Sequence, residues 1–125
     1  MGARTTVVQE AYDAFGRGDI PAILGMLDDA VEWTSPGTLP QGGTFKGRDE
    51  VGSFFSGVGA NWERLMVEPE SIGEVGDELV VAVVRLDGSR RSGGAQGYGA
   101  VHAFSVRDGR ITRFREYTDL DAPLG

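Results

Sequence analysis

Four side chains in this 125-residue sequence have types and spacings suited to proton transfer: Glu116, His102, Arg85 and Asp87. Glu116 and His102 fall in segments that read as two strands joined at Asp108-Gly109. Asp-Gly favours a tight hairpin because both residues tolerate positive φ. Strand side chains alternate between faces, so Tyr98, Ala100, His102, Phe104 and Val106 share one face. Thr112, Phe114, Glu116 and Thr118 share a face of the second strand. Apart from the histidine and the glutamate these faces are apolar or small, which directs both groups into one interior. A carboxyl beside an imidazole in such a place is a general acid–base couple. The competing readings are a solvated strand glutamate among arginines and a satisfied core histidine. Parity argues against the first, since Arg113, Arg115 and Tyr117 take the opposite face. Arg85 and Asp87 share a face with Val81 and Val83. An inward arginine needs a partner, which Asp87 or Glu116 would supply, because an unpaired buried charge is very costly. The alternative keeps Arg85 at the surface and reads Asp87-Gly88 as a turn at a solvated strand end; both readings stay open.

The elements that must position these groups follow from hydrophobic spacing. Thr6 to Gln9 has capping-box spacing, and Val8, Ala11, Tyr12 and Phe15 mark one helix face up to Gly16-Arg17-Gly18. Asp19 caps a second helix carrying Ile20, Ile23, Leu24 and Leu27, ended by Asp28-Asp29. Ala30 to Thr34 reads as a short strand, in which Glu32 and Thr34 share a face, turned either inward or to an exposed edge. Ser35 to Gly47 reads as a loop long enough to be functional. Arg48 to Ala60 is a third helix, with Val51, Phe54, Phe55 and Val58 on one face. Trp62 to Ser71 is a strand interrupted at Pro69, Gly76-Asp77 a turn, and Leu79 to Asp87 the most β-rich segment. The glycines of Gly93 to Gly99 permit a sheet bend, and Leu120 to Gly125 reads as a loose tail.

Helices first and antiparallel strands afterwards predict an α+β fold, a single domain over residues 1–125, with a curved, mostly antiparallel sheet packed on three N-terminal helices. Such a sheet closes a cone with an open end, a natural ligand cavity. Phe54, Phe104 and Phe114 are its expected apolar lining, and Tyr12 either offers its hydroxyl there or serves as core. Trp33 and Trp62 read as packing residues.

Composition narrows the classes. A net charge of −7 argues against nucleic acid and anionic membrane as partners. With no cysteine and one histidine, thiolate catalysis, disulfides and multi-histidine metal sites are excluded. The longest apolar run, Leu79 to Val84, is too short to span a bilayer, and no secretory signal is evident, so a cytoplasmic location is expected.

Five stretches resemble the NTF2-like superfamily, specifically its SnoaL-like branch. They are Gly18-Asp19, Leu27-Asp-Asp-Ala-Val-Glu-Trp33, Gly43-Thr-Phe-Lys-Gly47, Trp62 with Val67-Glu-Pro69, and the run from Val106 to Asp119. The resemblance implies no cofactor, and it assigns His102 and Glu116 the places of the histidine and acid that face the substrate in SnoaL-like cyclases. It aligns Arg85-Leu86-Asp87 and Glu116 with the acid–arginine–acid trio of limonene-type epoxide hydrolases. Glu32 and Thr34 then occupy that family's water-holding positions, where tyrosine and asparagine are usual. In ketosteroid isomerases the base position corresponds to Thr34, which disfavours that reaction. The expected function is acid–base catalysis on a small apolar polyketide- or terpenoid-like substrate, by cyclisation, isomerisation or epoxide opening. The alternative is a non-catalytic binding or dimerisation module. The resemblance also implies a homodimer.

Overall fold

A computed structural model describes residues 3–118, and the tail read at Leu120 to Gly125 lies outside them. Its first helix, α1 (Ala3–Gly16), buries Val8, Ala11 and Ala14. It begins upstream of the expected Thr6 cap because Arg4 and Thr5 are tied to the Glu74 carboxylate at 2.6 and 3.0 Å, which holds an extra turn in place. Asp19 caps α2 (Ile20–Gly25) as expected, accepting from the Ala22 N–H at 3.2 Å. That helix stops before Leu27, which was expected on its apolar face. The Ile111 N–H bonds the Met26 carbonyl at 2.9 Å, and Leu27 pairs with Ile111 as the first residue of a strand.

The strands are β1 (Leu27–Ser35), β2 (Gly43–Lys46), β3 (Trp62–Val75), β4 (Leu79–Arg90), β5 (Ala95–Arg107) and β6 (Arg110–Thr118), with α3 (Gly47–Asn61) between β2 and β3. They form one sheet in the order β2-β1-β6-β5-β4-β3. Every neighbouring pair is antiparallel except β1 and β6, which run parallel. The fold is α+β, three helices against a curved sheet, as the pattern predicts.

Two stretches differ from their sequence reading. Part of the expected Ser35–Gly47 loop is strand: Ser35 ends β1, and Gly43–Lys46 pairs back onto Glu32–Ser35 as β2. The remaining loop is closed down, with Leu39 and Gln41 buried and the Trp62 indole donating to Gln41 Oε1 at 3.1 Å. Asp87-Gly88 is not a turn. β4 runs on to Arg90, with Asp87 opposite Met66 on one side and Gly97 on the other. The expected irregularity at Pro69 is present as a register shift between Pro69 and Ser71.

The core lies between the helices and the inner face of the sheet, which β4 lines with Val80, Ala82, Val84 and Leu86. Asp108 (φ 52°) and Gly109 (φ 78°) make the tight turn that sets the β5–β6 register. Among the described residues no helix is long and apolar enough to cross a membrane.

Candidate active site

The turn at Asp108-Gly109 places His102 directly opposite Glu116. Both are buried, and His102 Nε2 lies 2.8 Å from Glu116 Oε2. The parallel pairing of β1 with β6 puts Thr34 in register with Arg115, so the next residue, Ser35, arrives beside Glu116. Ser35 Oγ donates to Glu116 Oε1. On the other side of the ring His102 Nδ1 lies 2.7 Å from the Tyr12 hydroxyl, contributed by α1. The result is a continuous hydrogen-bonded chain, Ser35–Glu116–His102–Tyr12, assembled from β1, β6, β5 and α1.

The chain has two consistent polarities. With a neutral imidazole, Nε2–H donates to the carboxylate and Nδ1 accepts from Tyr12. With an imidazolium, Nδ1–H donates to Tyr12 and frees the phenolic proton for another acceptor. Burial, reinforced by the Glu116 charge, pushes the Tyr12 phenol well above its ordinary value near 10, so Tyr12 stays protonated at any physiological pH. Serine donates here to the acid and not to the imidazole, so Ser35 orients the carboxylate and is not activated as a nucleophile.

Beside this chain lies a cavity of about 80 Å³. One water needs only about 10–15 Å³ of such space, so it fits a molecule of several heavy atoms. Tyr12, His102 and Glu116 line it, together with Trp33, Phe54, Phe104, Phe114 and Tyr98. The rings interlock: Trp33 stacks on Phe114 at 4.0 Å between centroids, and Phe114 meets the His102 ring edge-on at 4.9 Å. Among the described residues no arginine or lysine lines it, and Glu116 is the one carboxylate that does.

Of the residues singled out in the sequence, Glu116, His102, Tyr12, Phe54, Phe104 and Phe114 meet at this cavity. Four do not. Arg85 and Asp87 are exposed on the outer face of β4, whose inner face is held by Val84 and Leu86. Both lie over Gly97 of β5, where an added Cβ would come within 2.7 Å of Asp87 Oδ1 and 3.0 Å of an Arg85 nitrogen. Glu32 and Thr34 also point outward, Glu32 toward Arg113 at 3.6 Å and Thr34 toward the Thr44 hydroxyl at 3.3 Å. Their parity with one another is right, but Val31, Trp33 and Ser35 take the interior. That alternation is the available signal for Ser35, which ends β1 and does not open a loop. Trp33, read as packing, is also a wall of the cavity.

A sequence model of the SnoaL-like domain matches residues 8–114. The chain belongs to the SnoaL-like family. No curated protein matches it. Among solved structures, an NTF2-like protein of unknown function from Burkholderia pseudomallei is 30% identical, with a TM-score of 0.88 over 95% of this chain and 92% of that one. TerC, co-crystallised with polyporic acid, is 25% identical, with a TM-score of 0.86 over 95% and 93% of the two chains. A candidate polyketide cyclase from Xanthomonas campestris is 28% identical, with a TM-score of 0.77 over 94% and 91%. In this SnoaL-like chain, the inner face of the β5–β6 hairpin carries the titratable couple, whereas Arg85 and Asp87 stand on the outer face of β4 and Glu32 on that of β1.

Proposed function

We propose that this SnoaL-like protein is a cofactor-free acid–base enzyme acting on a small, largely apolar, polyketide- or terpenoid-like molecule. The observation that carries the reading is the buried 2.8 Å contact between His102 and Glu116 at the wall of an aromatic cavity. A carboxylate has about four lone-pair sites; Ser35 and His102 occupy one on each oxygen, which leaves capacity to accept a substrate proton. In that step a C–H bond next to a carbonyl breaks, an O–H bond forms on Glu116, and the electron pair moves to the carbonyl oxygen as an enolate. Return of that proton from Glu116 to another carbon completes an isomerisation; attack of the enolate carbon on a second carbonyl, whose oxygen then takes the proton from Glu116, completes a cyclisation. His102 holds the carboxylate in place through Nε2–H, and Tyr12 fixes that tautomer by donating to Nδ1, so the abstracted proton stays on Glu116 until it is returned to the substrate. Epoxide opening by an acid–arginine–acid trio finds no support, because Arg85 and Asp87 lie on the far side of the sheet. The binding of polyporic acid by TerC is consistent with a small organic ligand in this fold.

The test needs no knowledge of the natural substrate. The protein is expected to accelerate exchange of the α-protons of simple cyclic ketones, α-tetralone among them, in heavy water. Glu116→Gln is expected to abolish the acceleration while keeping the melting temperature. Exchange no faster than buffer, or unchanged in Glu116→Gln, would remove the couple from the mechanism.

The outer face supports a homodimer as part of the same reading. Val83, Val101 and Tyr117 stand in register across β4, β5 and β6, 43%, 36% and 54% exposed. Apolar side chains aligned across central strands favour a partner, and a second copy would meet them by two-fold symmetry. Sedimentation of the wild type as a dimer and of Tyr117→Glu as a monomer is the expected result.

A further inference from the structure

Three buried polar side-chain atoms have no hydrogen-bond partner among the described residues: Arg4 Nε, Trp33 Nε1 and Tyr98 Oη. Two of these belong to residues that line the cavity. Both are interior, Trp33 at 6% and Tyr98 at 2% exposure. Buried donors are almost always paired, because an unpaired one forfeits its hydration without return. The second indole of the chain shows the rule: Trp62 Nε1, also buried, donates to Gln41.

The two donors flank the acid–base couple. Phe104, His102, Ala100 and Tyr98 follow one another along the inner face of β5. Trp33 stands in the row of Phe114 and Phe104. The His102–Glu116 row therefore lies between Trp33 and Tyr98. Desolvation, with the Glu116 charge adding to it, raises the Tyr98 phenol, so its proton is retained for donation.

Resting on the function proposed above, we propose that Tyr98 and Trp33 are substrate-recognition donors that select an oxygenated ring system over a hydrocarbon, with acceptor oxygens on either side of the reacting carbon. This divides the substrate class. Carbonyl-bearing aromatic polyketides satisfy both donors, whereas an unfunctionalised terpenoid hydrocarbon would fill the same space and leave both orphaned. Discrimination of this kind is steep, because the wrong ligand keeps two buried donors unpaired.

The probes are α-tetralone and tetralin, which share a ring skeleton and differ by a carbonyl against a methylene. α-Tetralone is expected to bind about tenfold tighter, the worth of one good hydrogen bond. The readouts are titration affinity and the two indole signals of a proton–nitrogen correlation spectrum, assigned with Trp33→Phe. The Trp33 indole is expected to move downfield with α-tetralone and not with tetralin, while the Trp62 indole, already bonded, serves as the internal reference. Tyr98→Phe removes an orphan hydroxyl, so it should keep or raise the melting temperature while narrowing the preference for the ketone. Support requires the tenfold preference together with the Trp33 shift or the Tyr98→Phe effect. Equal affinity for the two probes, no binding of either, or a preference that survives Tyr98→Phe with an unmoved Trp33 signal overturns the proposal. A Tyr98→Phe variant that melts lower and loses both probes in parallel assigns that tyrosine to structure and overturns its role. Binding is read without turnover: a ketone preference without α-proton exchange fails the enzyme reading alone, and exchange without a preference fails this one alone.

Discussion

On the inner face of β5 and β6, His102 and Glu116 sit directly opposite one another, buried, each with a second polar partner. On the outer face of neighbouring β4, Arg85 and Asp87 sit two residues apart on one side of the strand, exposed. Both pairs join an acid to a basic group at short sequence or register distance. The difference is the surroundings. Inside, aromatic rings exclude water and leave the couple facing a cavity, so its interactions act at low dielectric. Outside, water solvates each charge separately and competes with any attraction between them. A constellation of chemically suitable residues becomes a candidate site only where burial forces the members to satisfy one another.

The largest expected contrast between the faces is catalytic. Glu116→Gln should lower ketone α-proton exchange by about 10²–10⁴-fold, the usual weight of a positioned general base. Asp87→Asn and Arg85→Gln, measured in the same assay, should stay within a factor of about two, since neither touches the cavity. An equal loss from the outer pair would erase the distinction between the faces.

Stability comes next. Ser35→Ala removes a buried donor to Glu116 and should cost about 1–3 kcal/mol by denaturant melting. Thr34→Ala, one residue away on the outer face, should change stability by less than about 0.5 kcal/mol.

A pH titration sharpens the same contrast. The phenols of Tyr12 and Tyr98 are raised by burial, so above pH ~10 the unfolded chain loses protons that the folded chain keeps. Their contribution is therefore fully present below pH ~10 and is lost as pH rises above it, by at most about 1.4 kcal/mol per pH unit for each tyrosine. Tyr12→Phe should flatten that alkaline decline, read as denaturation midpoint against pH. The smallest effect belongs to the exposed pair of Glu32 and Arg113, 3.6 Å apart; Glu32→Gln should shift stability by less than about 1 kcal/mol, and less still in high salt.

The couple itself was legible in the sequence because a two-residue turn fixes register and period two then fixes the face. His102 and Glu116 followed from Asp108-Gly109 without any long-range information. Arg85 and Asp87 stayed open between pocket and surface for a local reason. β4 is apolar on both faces, with Val80, Ala82, Val84 and Leu86 inside and Val81 and Val83 outside, so alternation showed which residues travel together but not which side meets the helices. The short strand Gly43–Lys46 could not be read from its own composition, which is rich in turn residues on its N-terminal side. It exists because Thr34 and Trp33 offer it a partner edge. Ser35 and Tyr12 reach the couple only through contacts 81 and 90 residues long, and no local pattern encodes those distances.

The place of β6 in the sheet has a consequence for biosynthesis. β6 is the last of the described elements in chain order, yet it lies between β1 and β5. Until it leaves the ribosome, the sheet of the nascent chain is interrupted between the β1–β2 pair and the β3–β5 meander, each with an open edge where β6 belongs. Closing the sheet joins them, delivers Glu116 to both Ser35 and His102, and seals two exposed edges in a single event. A chain that stalls before this strand is translated lacks the Glu116–His102 couple and exposes both strand edges, so completing the sheet and completing the couple are the same step.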